Sequence, residues 1–388
     1  MKYYSYLNSA GEIIELYKAQ QPFHLFIKDF FRQYKKYGSS DRRQITHICY
    51  CYFRLGNSLK DTPVTEKLII ALFLCSFQKN EILAHVKPAW NEQVNLSVKE
   101  KCVLLNIQFD VSNIFPCGDQ ISNAIDKTDF ILSHLVQPDV FLRIRPGYKK
   151  TIINKLEHEK IIFSVTNENC IGLPNTTKVD TLLEINKEAV VQDYSSQRTG
   201  SFLQLAKDDG APVKIWDCCA GSGGKSIMAK DLLGHVVLTV SDIRESALIN
   251  LKKRFAEAGI RSYKTLMIDL TAGIINLAPA SFELIIADVP CTGSGTWGRT
   301  PEWLSFFNEN EIDKYHQLQK KIVATAMPCL KTGGFFLYIT CSVFKRENED
   351  MVDFIKTNLS ADLIKMEVLK GYGMKADTMF AALLKKKL

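Results

Sequence analysis

The sequence predicts an α/β protein: a doubly wound, largely parallel sheet, preceded by a small α+β unit and an all-helical N-terminal module. Beyond Val213, short apolar segments alternate with amphipathic helical stretches, the rhythm that builds parallel sheets covered by helices on both faces. Before Leu105, stretches of apolar residues recur at three-to-four spacing, which is the helical period. Between these regions a short stretch mixes strand, turn and helix signals. At roughly 100 to 200 residues per domain, a chain of 388 residues holds two or three compact units. The divisions expected are 1–125 for the helical module, 126–200 for the α+β unit and 201–388 for the sheet domain.

In the helical module, FHLFIKDFFRQYKKY (Phe23 to Tyr37) and ITHICYCYFRL (Ile45 to Leu55) each gather apolar residues on one face. Ser39, Ser40 and Asp41 are suited to cap the second of these helices. Leu68 to Phe77 is the longest apolar run. It is about half of the ~20 residues a membrane-spanning helix needs, so it reads as a buried helix. Met1 to Glu12 lacks a charged start followed by an apolar run, so no secretory signal is read and a cytoplasmic protein is expected, without a membrane partner. The eleven cysteines have no disulfide-framework spacing and read as reduced thiols. Cys49 and Cys51 form only CxC, with no matching half, and no metal site is expected.

Asp110 to Gln137, with Pro116, Gly118 and then Pro138, reads as a connector. Pro138 to Val165 reads as a strand, a turn at Pro146-Gly147, a helix and a second strand. Net charge is +7 and unevenly placed. Residues 1 to 60 hold ten Lys/Arg against four Asp/Glu, and residues 141 to 160 hold six against two. Such a surplus suits a polyanion partner, and equally a soluble basic surface.

In the sheet domain the strand candidates are VKIWD (Val213 to Asp217), VVLTVSD (Val236 to Asp242), TLMIDL, FELIIADVP (Phe282 to Pro290) and GGFFLYITCSV. Helices are expected over Ser226 to Leu233, up to Ala258, over Glu311 to Leu330, and from Glu347. Asp217, Asp242, Asp269, Asp288 and Cys341 all fall at strand ends, where doubly wound sheets bind ligands. The Gly-rich turn after the first strand is not a P-loop, because Cys219 stands where that motif needs Gly, and Ser226 stands where the dinucleotide fingerprint needs its third Gly. What remains is a small-residue turn at a helix N-terminus, suited to a carboxylate. Asp242 is suited to ribose hydroxyls and Asp269 to an adenine amino group. Ribose plus carboxylate describes S-adenosylmethionine. For any one aspartate, capping a helix is as good a reading.

Three segments resemble the central motifs of the RNA 5-methylcytosine methyltransferases of Fmu/Sun type: Asp217-Cys218-Cys219-Ala220-Gly221-Ser222-Gly223-Gly224-Lys225, Asp288-Val289-Pro290-Cys291-Thr292-Gly293-Ser294-Gly295, and Tyr338-Ile339-Thr340-Cys341-Ser342 with Glu347-Asn348-Glu349. Val191 to Gln197 resembles a further segment of that family, which includes the bacterial 16S ribosomal RNA cytosine-C(5) enzymes. Ser40-Asp41-Arg42-Arg43 is similar to part of their NusB-like RNA-binding module. The resemblance implies a class I, Rossmann-like S-adenosylmethionine-dependent methyltransferase domain, with a NusB-like helical domain and an RNA-contacting α+β unit before it. It implies methylation of carbon 5 of a cytosine in RNA, 16S ribosomal RNA above all, by a cytoplasmic monomer with a role in rRNA processing, and S-adenosyl-L-homocysteine as product.

The resemblance also assigns roles. Cysteine 219, Ala220, Gly221, Ser222, Gly223, Gly224, Lys225, Asp242, Asp269 and Asp288 would bind the donor; that first residue is Cys219. Cys341 would attack carbon 6, because carbon 5 of cytosine is a poor nucleophile until a thiolate has added beside it. Cys291 would assist release, Asp288 would hold the ring-nitrogen edge, and Lys225 would stand near both donor and Asp288. Singly, a cysteine at a strand end is more often a small buried hydrophobe, and Cys218, Cys329, Cys75 and Cys102 are assigned to packing. Three positions depart from the family: Gly221-Ser222 replaces its usual Ala-Pro, Leu142-Arg143-Ile144-Arg145 departs from its Leu-Arg-hydrophobic-Asn, and Ala247 replaces an Arg. The rival readings are a tRNA methyltransferase, a DNA cytosine methyltransferase with Cys291 as nucleophile, and an RNA-binding assembly protein that keeps only the fold.

Overall fold

A computed structural model describes residues 2–105, 111–206, 212–273 and 277–387. It divides into two compact units. One contains 1–119, 126–137 and 296–309; the other contains 120–125, 138–295 and 310–388.

The first unit is helical. Its helix Phe23–Gln33 turns Phe23, Ile27, Phe30 and Phe31 inward, the one-sided stripe that its spacing predicts. Ser39–Arg54 begins one residue earlier than the cap expected from Ser39, Ser40 and Asp41. Gly38 occupies the cap position, and Asp41, in the first turn, accepts from the Gly38 N–H at 3.1 Å. Val64–Cys75 is apolar on all sides and buried from Lys67 to Leu74, in keeping with the run read as a buried helix. Among the described residues no helix is long and apolar enough to cross a membrane.

Two segments join this unit against the expected divisions. Lys127–Ser133 is capped by Asp126, and the buried Arg54 guanidinium donates to the carbonyls of His134 (2.7 Å) and Val136 (3.3 Å). Thr296–Glu309 interrupts the sheet domain because its side chains need this core. Phe306 meets Tyr17 edge-on at 5.4 Å, Trp297 lies 5.2 Å from Phe115, and Glu302 accepts from the Phe23 N–H at 3.0 Å. Asp110, the expected start of the connector, lies outside the described residues.

The second unit holds two sheets. A four-stranded antiparallel sheet contains β1 (Val140–Ile144), β2 (Ser164–Asn167), β3 (Cys170–Leu173) and β4 (Ala189–Val191) in the order β2-β3-β1-β4. Ile152 and Leu156 of the helix Lys149–His158 pack with Leu142, Ile144, Ile171 and Leu173 over one face. This small sheet belongs to the same unit as the larger one; 126–200 does not stand alone.

The larger sheet has seven strands in the order β10-β11-β9-β8-β5-β6-β7: β5 (Val213–Asp217), β6 (Val236–Asp242), β7 (Tyr263–Met267), β8 (Phe282–Asp288), β9 (Leu330–Thr340), β10 (Ala361–Leu369) and β11 (Met379–Lys386). Five are parallel, as expected, while β11 runs antiparallel to both β9 and β10. Those last two strands are not visible in the period of the sequence. Along β10, Lys365 and Glu367 alternate with apolar residues in an edge strand that is only half buried. Strand order reverses between β5 and β8, which opens a crevice at their carboxyl ends.

Arg143 and Arg145 correct an expectation. Read as basic residues of an RNA-contacting unit, they are instead turned inward and paired with Asp231 of the helix Gly224–Leu233. Arg143 Nη1 is 2.6 Å and Arg145 Nη2 is 2.8 Å from its carboxylate. Arg145 also donates to the carbonyls of Asn186 and Ala258 at 3.0 and 2.8 Å. The arginines thereby lock the small sheet to the helix behind the Gly-rich turn.

Candidate active site

The crevice at the reversal point is a cavity of about 790 Å³. Cys219, Ala220, Gly221, Ser222, Gly224, Lys225, Asp242, Asp269, Asp288, Cys291 and Cys341 all line it, so the strand-end residues singled out from sequence meet in one place. Gly223 is the exception. At φ 82° its missing side chain leaves room for Phe255, whose Cε1 would stand 2.6 Å from a Cβ there. Its task is to let the helix Glu245–Glu257 approach the turn. Gly221 is also left-handed, at φ 54°, and its N–H donates to Asp242 Oδ2 at 2.9 Å.

The helix beginning at Gly224 leaves its first-turn N–H groups without intrahelical acceptors, and Gly224 and Lys225 of that turn line the cavity. Where the family has Ala-Pro, the chain has another brace: Arg254 Nη1 donates to the carbonyl and the hydroxyl of Ser222 at 3.0 and 2.6 Å.

The carboxylates differ in environment. Asp242 is buried, which by itself would raise its pKa, but bonds from the Arg244 side chain and backbone and from Gly221 hold it below its usual range. Asp269 is exposed and caps a short turn, accepting from the N–H and hydroxyl of Thr271 at 2.8 and 2.6 Å. For that residue the capping role read as its alternative is realised, on the rim of the same cavity. Asp288 accepts from Lys225 Nζ at 3.0 Å, and Lys225 also reaches Ser196 Oγ at 2.8 Å.

Asp217 stands at a strand end and opens the first motif segment, with no role assigned to it from sequence. It is fully buried, accepts from the Ser226 hydroxyl at 2.6 Å, and leaves Oδ1 with no hydrogen-bond partner among the described residues. Burial pushes its carboxyl up to about 7.

The sulfurs of Cys291 and Cys341 are 3.3 Å apart, and the Cys341 N–H lies 3.3 Å from Cys291 Sγ. Cys291 follows β8 and Cys341 follows β9; adjacent parallel strands bring them together. Contact with Cys341 first, and then burial, push the Cys291 thiol well above its usual range. Of the cysteines assigned to packing, Cys218 and Cys329 are buried, whereas Cys75 and Cys102 are partly exposed.

Around the thiols lies a polar cluster whose members Thr292, Ser342 and Glu347 fall in the motif segments, while Gln319 carries no local signal in the sequence. Glu347 is fully buried. It accepts from the Thr292 N–H (3.0 Å), the Thr292 hydroxyl (2.6 Å), Gln319 Nε2 (2.9 Å) and the Ser342 hydroxyl. The Val191-to-Gln197 segment supplies Val191, Gln192, Asp193 and Ser196 to the cavity wall.

Comparison with known proteins gives a family likeness over part of the chain. The model described as 16S rRNA methyltransferase RsmB/F matches residues 201–384. Ribosomal RNA small subunit methyltransferase B of Yersinia enterocolitica is 28% identical over 240 residues, 57% of this chain and 54% of its own length. The human tRNA (cytosine(72)-C(5))-methyltransferase NSUN6 is 31% identical over 156 residues, 37% of this chain and 33% of its own. The chain thus spans about half the length, or less, of these curated relatives. The crystal structure of PH0851 shares the fold, with a TM-score of 0.70 at 18% identity over 98% of each chain.

Proposed function

We propose that this chain, whose residues 201–384 match the RsmB/F methyltransferase family model, transfers a methyl group from S-adenosylmethionine to carbon 5 of a cytosine in RNA. The observation that carries the reading is the pair of sulfurs 3.3 Å apart on the wall of a cavity that also holds a Gly-rich helix N-terminus and the buried Asp242.

The cavity fits such a donor. Asp242 offers a carboxylate for ribose hydroxyls, the first turn of Gly224–Leu233 offers N–H groups for a carboxylate, and the unpartnered Asp217 Oδ1 offers a seat for an ammonium. Bound there, the donor supplies a methyl carbon made electrophilic by its sulfonium.

The protein's own residues do the rest. Cys341, as thiolate, adds to carbon 6 of the cytosine and raises the electron density on carbon 5. Asp288 meets the ring-nitrogen edge and favours its protonated form, while Lys225, bonded to Asp288 and Ser196, keeps that carboxylate in place. After methylation the carbon 5 proton must leave before the carbon 6–sulfur bond can break, and Cys291 assists this release. The target base has to leave any stack to reach the thiols.

Small-subunit ribosomal RNA is the substrate class that the family supports, and transfer RNA is the second, through the likeness to NSUN6. The exposed Lys28, Lys35, Lys36 and Arg43 of the helical unit give a phosphate backbone something to meet. The test is transfer of a labelled methyl group to each RNA, followed by nuclease digestion. Label in 5-methylcytidine supports the reading, and its absence from both RNAs overturns it.

A further inference from the structure

Between the two thiol-bearing loops stands a buried carboxylate for which the chemistry above has no use. Glu347 accepts four hydrogen bonds, all from uncharged groups, and three come from residues immediately after a cysteine: the Thr292 N–H and hydroxyl behind Cys291, and the Ser342 hydroxyl behind Cys341. The fourth donor, Gln319 Nε2, also donates at 3.0 Å to the carbonyl of Pro290, the residue before Cys291. The orientation of Gln319 is set by these two acceptors, which need its amide N–H groups, and the Tyr338 hydroxyl, 3.1 Å from Gln319 Oε1, donates at 2.8 Å to the Glu347 carbonyl. The Cys291 backbone is therefore gripped on both sides, and the grip passes through one carboxylate to the Cys341 loop.

We propose that Glu347 is the positioning residue of the thiol pair, fixing by these bonds the separation and facing of the Cys291 and Cys341 sulfurs. The inference rests on the reading of those cysteines as the reacting groups. A buried carboxylate is costly to keep unless its lone pairs are filled, and here the groups that fill them are the loops whose register matters. Its burial pushes its own pKa up, opposed by the bonds from Ser342 and Thr292. Its charge also bears on Cys291, alongside the larger influence of the Cys341 sulfur. The other titratable groups that sense Cys291 are Tyr315 and Tyr338.

Glu347→Gln keeps the shape and turns an acceptor into a donor, so that at least one present donor loses its acceptor. A misplacement on the order of 1 Å costs about a hundredfold in rate. The expected result is a single-turnover methyl transfer slowed by about that factor, with donor affinity within about twofold of the parent, because the donor contacts lie elsewhere. Alkylation of Cys291 by iodoacetamide, followed by peptide mass spectrometry across pH, should shift to lower pH in the same variant, which a merely structural residue would not produce. Thr292→Val, which deletes one hydroxyl bond, should slow transfer by a smaller factor and keeps the test open if Glu347→Gln does not fold. Transfer within threefold of the parent in both variants, or an alkylation profile that does not move in Glu347→Gln, overturns the proposal. Failure of the parent protein to methylate any RNA would instead overturn the function proposed above, while the alkylation profile would still report on Glu347.

Discussion

Asp231 is the single acceptor shared by two buried guanidinium groups, and Asp231→Ala is the perturbation whose size follows most directly from the structure. Its side chain is 4% exposed, against 8% for Arg143 and 13% for Arg145. Arg143 Nη2 already lacks a hydrogen-bond partner among the described residues. Removing the carboxylate leaves two adjacent cations with little access to water. Breaking a buried pair in this way costs about 3–5 kcal/mol. Arg143 keeps Gln192 Oε1 at 2.8 Å and Arg145 keeps two carbonyls, so the lower end, about 3 kcal/mol, is expected. At roughly 2–4 °C per kcal/mol for a unit of this size, Tm should fall by about 6–12 °C, read by circular dichroism at pH 7.5. The same reasoning says that neither arginine touches phosphate. Arg145→Met should leave the salt dependence of RNA binding unchanged, whereas a lost phosphate contact would flatten the log–log slope by about 0.7–0.9. A Tm drop below about 2 °C for Asp231→Ala, or a flattened slope for Arg145→Met, would refute the account of this triad.

Two other residues give sharp expectations. Burial holds Asp217 at about 7 against its usual 3.8. The stabilisation its protonated form gives the unloaded protein is therefore complete below about pH 4 and lost as pH rises through 7. Donor binding needs the carboxylate, so its affinity should weaken by up to about tenfold per pH unit below 7 and level off above; calorimetry that finds a flat profile from pH 5.5 to 8 would contradict this. At Gly295 a Cβ would stand 1.8 Å from the Thr378 carbonyl oxygen and 3.0 Å from that of Cys341. Gly295→Ala should lose at least about 3 kcal/mol, the upper end for an overpacked site, together with methyl transfer; a variant with parental Tm and activity would show that the loop has room to yield.

The parallel strands were legible because strands buried on both faces read as apolar runs, and their ends located Asp217, Asp242, Asp288 and Cys341 correctly. What stayed hidden depended on partners far along the chain. Arg143 and Arg145 look like surface cations until Asp231 is brought beneath them. Thr296–Glu309 reads as part of the sheet domain, yet its Trp297 and Phe306 are drawn into the helical core. Strand β10 lies at the edge, where a half-exposed pattern carries a weaker signal, whereas β11 is a buried strand whose place between β9 and β10 depends on pairing across the chain. Glu347 was noticed as part of a motif, but its bonds to Thr292 and Ser342 exist only once β8 and β9 are paired.

The central claim is that Cys341 attacks and Cys291 releases. It is tested most directly by incubating Cys291→Ala and Cys341→Ala with substrate RNA and methyl donor, and resolving protein from protein–RNA adduct on denaturing gels. Cys291→Ala should accumulate a covalent adduct and Cys341→Ala should form none. Adduct in Cys341→Ala and none in Cys291→Ala would reverse the roles, as in the DNA cytosine methyltransferase reading, and contradict the account.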